Sequence, residues 1–288
     1  MKLRILAVVT ALCLCATVVV SQSNKRKAKP SPSPSPEFWD GYDGVKWQNG
    51  PSVGDLGINA KITVPDGYIF ADAKDTRTIM EAHHNPVNGR ELGFVAPKGE
   101  PWHVVFEYDN VGYVKDDDKN SLDADAILES IRTGNEAGNK ERVKRGWPTL
   151  AILGWEQKPH YDETTHNLEW ALRASSDGTP VINYNTRLLG RGGVMEVTLI
   201  TAPDTLSTTL PKFKAMLNGF DFKEGHRYAE FRAGDKTAAY GLTGLIVGGG
   251  TAALVKSGAF KWIWKALVAA GIGVAALVKK LLSGRSDS

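Results

Sequence analysis

His160, Asp162 and His166 bracket a short polar turn. Residues facing each other across a hairpin can bring two imidazoles and a carboxylate together as a nitrogen/oxygen ligand set for a metal ion. That chemistry would suit a metal-dependent hydrolase or a cation-binding domain. The spacing supplies no further ligand, so polar surface or a hydrogen-bonded histidine is the competing role. His83 and His84 are adjacent, which sets them about 100° apart on a helix and keeps them from converging on one ion. Asp116, Asp117, Asp118, Asp123 and Asp125 form the densest run of carboxylates. Counted as a calcium loop from Asp116, the run has Ser121 where glycine is needed and Ile127 where the bidentate glutamate is needed. Asp123 and Asp125 are then expected to favour the N-terminus of a following helix.

Arg187 and Arg191 could fork a carboxylate or phosphate, or pair with acids inside the domain. With Trp155 and Tyr161 they make a possible binding surface. Trp155, Tyr161, Trp170 and Tyr184 repeat on neighbouring strands and either line a groove for a sugar or peptide or fill the sheet core. No Ser-x-x-Lys or His-Glu-x-x-His word occurs, which weighs against an enzyme, and no cofactor is expected. Both cysteines, Cys13 and Cys15, lie in the N-terminal apolar segment, so a processed chain has no thiol for a disulfide or thiolate chemistry. Net charge is +3 with interspersed signs, and no basic stripe suggests nucleic acid as a partner.

The elements that must hold these residues read as α+β. Residues 59–64 alternate polar and apolar and stop at Pro65-Asp66-Gly67, after which a strand resumes at Tyr68. Asp75 is expected to cap a helix reaching His83, closed by Asn85-Pro86. Residues 102–108 read as a strand buried on both faces. A helix opens at residues 121–125 and continues or repeats over 137–145. Four strands follow at 149–157, 168–174, 181–189 and 194–201, joined by short turns that make them antiparallel neighbours. A last helix spans 205–217. The expected fold is an antiparallel β-sheet flanked by helices, sandwich-like, over residues 38–235.

The words carried on this frame resemble a known family. They include Leu56-Gly57 with Ile62-x-Val64-Pro65-x-Gly67-Tyr68, Phe106-x-Tyr108, and Gly112-Tyr113-Val114-x-Asp116-Asp117. They continue through Asn139-x-Glu141-Arg142, Gly154-Trp155 with Pro159-His160-Tyr161-Asp162, His166-x-Leu168-x-Trp170-Ala171, and Asn183-Tyr184-x-x-Arg187-x-Leu189-Gly190-Arg191. Arg227-Tyr228 and Ala239-Tyr240-Gly241-Leu242 complete the series. In that order they resemble the bacterial membrane-anchored proteins grouped as domain of unknown function 2167. The resemblance implies export and a C-terminal anchor, and it carries no catalytic residues across. The close of the domain, residues 194–222, also looks like sandwich domains of the photosystem-extrinsic type, an analogy of fold alone.

The two ends indicate location. Residues 1–23 have a basic start, an apolar core and small-residue cleavage positions, the layout of a signal peptide. Lys25, Arg26, Lys27 and Lys29 follow directly, so an uncleaved anchor is the alternative. Residues 24–37 form a Pro/Ser-rich linker. The C-terminal hydrophobic anchor is placed at 237–282, with charge-free stretches at 237–255 and 266–278 separated by Lys256, Lys261 and Lys265. It is expected to enter the bilayer as a transmembrane helix or a helical hairpin. Gly241, Gly244 and Gly248 offer a small-residue face for self-association or for another membrane protein.

These observations point to a protein of the inner (cytoplasmic) membrane whose soluble domain faces the periplasm. Its partners would be the lipid bilayer and another membrane or envelope protein. A non-enzymatic binding or assembly module is the first reading, and it anticipates no deep polar pocket. The metal-dependent hydrolase is the alternative.

Overall fold

The computed structural model describes residues 39, 42 and 44–248. The N-terminal apolar segment, the Pro/Ser linker, the end of the first C-terminal apolar stretch and all of the second lie outside the described residues.

Short strands β1 (Gln48–Asn49), β2 (Ser52–Leu56), β3 (Ala60–Val64) and β4 (Tyr68–Asp72) lead into helix α1 (Ala73–Ala82). Strands β5 (Glu91–Pro97) and β6 (His103–Asp109) follow, then the long helix α2 (Ala124–Lys144). A meander of β7 (Leu150–Asp162), β8 (Asn167–Ser176), β9 (Thr179–Leu189) and β10 (Val194–Thr201) precedes α3 (Leu206–Leu217). The described chain ends with β11 (Phe220–Phe222) and α4 (Leu242–Val247).

The strands make two sheets. The large one has eight strands in the order β1-β4-β5-β6-β10-β9-β8-β7, and the small one has the order β11-β3-β2. Every pairing is antiparallel. The Pro65-Asp66-Gly67 turn therefore carries the chain from the small sheet to the large one rather than closing a hairpin.

Strand alternation decides the layers. Phe106, Tyr184 and Val197 point to one face of the large sheet, where Ile62 of β3 and Phe213 of α3 close over them. On the other face Trp170 and Leu172 meet Ile127 of α2 and Leu245 of α4, while Phe94 and Val105 meet Ile79 of α1. Each such buried side chain stabilises the fold by roughly 1.5–3 kcal/mol. The antiparallel sheet flanked by helices is thus as expected, including the four-strand meander and the helix after it.

Two helix starts differ in instructive ways. α1 is capped by Asp72, whose carboxylate accepts from the Lys74 and Asp75 amides; Asp75, the expected cap, lies buried one turn in and takes the Lys46 N–H at 2.8 Å. A cap has to precede the first helical amide, and β4 running straight into the helix leaves Asp72 in that place. α2 is one continuous helix, capped by Asp123 as the acidic run suggests.

The first C-terminal apolar stretch is not one helix starting at Thr237. Thr237 bridges Tyr113, and the Ala238 amide donates to the Tyr113 carbonyl at 2.8 Å. The helix covers only Leu242–Val247 and stops at Gly248, whose φ of 87° is left-handed. The physical reason is competition: Leu242, Leu245 and Ile246 find an apolar surface shared with α2 and β8, so this part of the stretch packs on the domain. No helix among the described residues is long and apolar enough to cross a membrane.

Candidate functional site

The β7–β8 hairpin, the ends of β9 and α3, and β11 surround an open cleft of about 610 Å³. His160, Asp162 and His166 all line it. Local structure fixes what they do there. Asp162 accepts from the Thr164 and Thr165 amides at 2.8 and 3.3 Å, an Asx turn that holds its carboxyl below the usual range. His166 sits at φ 53°, with Nδ1 3.0 Å from the Tyr161 hydroxyl and its ring 4.7 Å from that of Tyr228. His160 lies two residues up β7, paired in register with Glu169. Turn geometry therefore spends Asp162 on its own backbone and His166 on Tyr161. Among the described residues no three ligating side chains converge on a metal position.

The rest of the rim was not legible in the sequence. Lys214 of α3 reaches Glu169 of β8 at 2.9 Å, and Arg227 reaches Asp221 of β11 at 3.3 Å. Glu169 also accepts from the Tyr184 hydroxyl at 2.7 Å. Leu188, Leu189, Leu217, Phe220 and Phe222 supply the apolar lining. Each charged pair joins elements 6 to 45 residues apart in sequence, which no spacing rule reveals.

The expected binding surface of Arg187, Arg191, Trp155 and Tyr161 is absorbed by contacts inside the domain. Arg187 is 8 % exposed, stacks over Trp170 at 4.8 Å and pairs with Glu196 at 3.2 Å. Arg191 makes two 2.7 Å bonds to Asp235, which hold that carboxyl down at about 2. Trp155 donates to the Ala124 carbonyl at 3.1 Å, and Tyr161 is buried against Asp116, whose carboxylate it reaches at 3.1 Å. Trp170 and Tyr184 belong to the cores on opposite faces of the sheet. The reason is common to all: strand register turns these residues toward packed helices and loops rather than toward solvent.

The acidic run is likewise structural. Asp118 accepts from the Leu242 and Thr243 amides and from the Thr243 hydroxyl at 2.8–3.1 Å, capping α4 from 124 residues away. The described glycines of the first apolar stretch belong to that packing. Gly241 lies so close to Asp118 that a Cβ would collide with the carboxylate, Gly244 lies against the Tyr240 ring, and Gly248 ends the helix.

A second cleft of about 400 Å³ crosses the opposite face of the large sheet between α1 and α2. His83, His103, Glu107 and Arg142 are among its lining residues. Burial, with His83 nearby, pushes the His103 imidazole down to about 3, so it is neutral. Burial followed by Glu196 pushes the Glu107 carboxyl up, against the opposing pull of Arg90. A signal for this site existed, since His103 and Glu107 share one face of an otherwise apolar strand.

The chain belongs to the family of proteins of unknown function DUF2167, which matches residues 48–279. No curated protein matches it significantly. Among solved structures it is similar to cyanobacterial PsbP (CyanoP) from Synechocystis sp. PCC 6803, at 14% identity and a TM-score of 0.40, covering 63% of this chain and 95% of that one. It is also similar to the protein of unknown function PA94 from Pseudomonas aeruginosa, a putative regulator, at 14% identity and a TM-score of 0.24, covering 57% and 91%.

Proposed function

We propose that this protein is a non-enzymatic binding module of the cell envelope, anchored in the inner membrane with its folded domain in the periplasm. It holds another envelope component in the cleft beside the β7–β8 hairpin. The observation that carries this reading is the cleft's composition. Two acid–base pairs, Lys214 with Glu169 and Arg227 with Asp221, flank an apolar lining, an arrangement suited to recognition. A hydrolytic reading would need a free base beside a metal or nucleophile, whereas Asp162 and His166 are engaged in the turn. The signal-like residues 1–23 and the apolar C-terminal residues support export and anchoring.

A photo-crosslinking residue at Asn218, which lines the cleft, tests binding in intact cells. A discrete adduct with one envelope component is expected at Asn218 and not at Lys158 on β7. Recovery of the lone chain from both positions overturns the reading. Single cysteines at Ser257 and Ser288 test the membrane arrangement: in a hairpin Ser288 labels from outside and Ser257 does not, and in a single crossing the result reverses. A cysteine in the folded domain that labels only after the inner membrane is opened would refute the periplasmic placement.

A further inference from the structure

Phe220, Asp221 and Phe222 are consecutive in β11, and all three line the 610 Å³ cleft. Successive side chains of a strand point to opposite faces, so three in a row meet one cavity only along the strand's edge. The hydrogen bonds say which edge. The Thr63 amide donates to the Gly219 carbonyl and the Lys223 amide to the Asn59 carbonyl, both within the register that pairs Asp221 with Lys61. In an antiparallel pair the hydrogen-bonded positions alternate, so Gly219, Asp221 and Lys223 face β3. The amides and carbonyls of Phe220 and Phe222 then face away from β3, where β11 has no strand neighbour among the described residues.

We infer that this open edge is a strand-addition site for an extended, uncharged peptide segment of a partner protein. The inference deepens the binding reading above and rests on it. The chemistry of the occupant follows from what the cleft offers. Two residues of free edge supply backbone donors and acceptors, which an extended peptide satisfies and an apolar ligand does not. The apolar lining from Leu188, Leu217 and Phe220 receives alternate side chains of the added strand. Lys214 and Glu169, and Arg227 and Asp221, neutralise one another at the rim, and the remaining carboxylate, Asp162, is taken up by the Thr164 and Thr165 amides, so the rim calls for no charged group in the incoming segment.

The test uses the full chain in lipid nanodiscs with residue-resolved amide exchange. In the free protein, Phe220 and Phe222 amides should exchange fast and the Asp221 amide slowly. A capped peptide alternating valine and threonine should protect Phe220 and Phe222. The same peptide N-methylated at alternate residues should bind on the order of tenfold more weakly, the loss of two modest hydrogen bonds.

Three results overturn strand addition: protection of Phe220 and Phe222 in the free protein, no protection at millimolar peptide, or equal binding of the N-methylated peptide. Protection of the cleft by a neutral maltooligosaccharide but not by the peptide also overturns it. That last outcome leaves the binding reading standing, whereas a failed crosslink at Asn218 removes the binding reading itself.

Discussion

The outer strands β7 and β11 treat their free edges in opposite ways. β7 is thirteen residues long and would be an obvious template for another chain, yet its beginning is covered. Asn139 of α2 accepts from the Leu150 amide and donates to the Leu150 carbonyl, both at 2.8 Å; Asn135 donates to the same carbonyl at 2.7 Å, and Arg132 reaches the Leu153 carbonyl at 3.4 Å. Farther along, Lys158, Pro159 and repeated register shifts against β8 interrupt the edge. β11 has only three residues, lies in a cleft, and has no such cover among the described residues. A long exposed edge invites unselective pairing and is guarded, while a short recessed one can be left open and selective.

The strongest way to break this contrast is to remove the guard. Asn139→Leu deletes both of its bonds to Leu150 and leaves the Leu150 amide without its partner, while the carbonyl keeps Asn135, at about 1–3 kcal/mol. Denaturant unfolding should show that loss, and sedimentation should show concentration-dependent association through β7. A variant that loses stability but stays monomeric would mean that β7 does not need α2 for protection.

A somewhat smaller effect is expected from Asp118→Ala. It removes the remote cap of α4, and since α4 shares a core with α2, the guard itself should loosen. The expected cost is about 1–2 kcal/mol, with faster amide exchange along β7 and unchanged exchange in β11. Equal acceleration at both edges would show that they are not independently protected.

Lys214→Ala sharpens the comparison from the other side. The pair with Glu169 is half-exposed, so the change in stability should stay within about 1 kcal/mol by chemical denaturation. Peptide binding at the cleft should weaken while β7 protection stays the same.

The least effect on either edge is expected from acid acting on the second cleft. The folded-state value of His103 is lowered from 6.5 to about 3. The unfolded chain therefore binds the extra proton first, and stability is present above about pH 6.5 and falls as pH drops toward 3. Glu107, raised in the folded state, acts in the opposite sense in the carboxylate range. His103→Phe should flatten the pH dependence of the unfolding midpoint between pH 6.5 and 4 without altering exchange at β7 or β11. An unchanged slope would show that His103 is not its source.

Much of the fold was legible because local rules sufficed. Short polar turns between alternating runs announced the β7–β10 meander, and the Asp123 cap announced α2. The turn at Tyr161-Asp162-Glu163 announced the β7–β8 hairpin, which forms one wall of the cleft. Of the two roles that spacing left open for its residues, the structure shows the hydrogen-bonded one, with Asp162 on its own turn amides and His166 on Tyr161. β5 escaped notice because its run from Glu91 is buried on most positions and lacks alternation. For Arg187 the sequence left a binding surface and an ion pair inside the domain both open, because its partners, Glu196 and Trp170, are brought to it by register rather than by nearness in sequence.

By itself, then, the sequence determined the α+β class, the order of most elements and the family. These follow from periodicity, turn chemistry and linear words, all local properties. Only the tertiary structure decided that the Pro65–Gly67 turn switches sheets and that Asp118 caps a helix 124 residues away. It also decided that an apolar stretch of membrane-like composition begins by packing on the domain, and that β11 leaves one edge open above a cleft. Each of these depends on which distant surfaces meet, because burial and hydrogen-bond satisfaction are properties of the assembled chain.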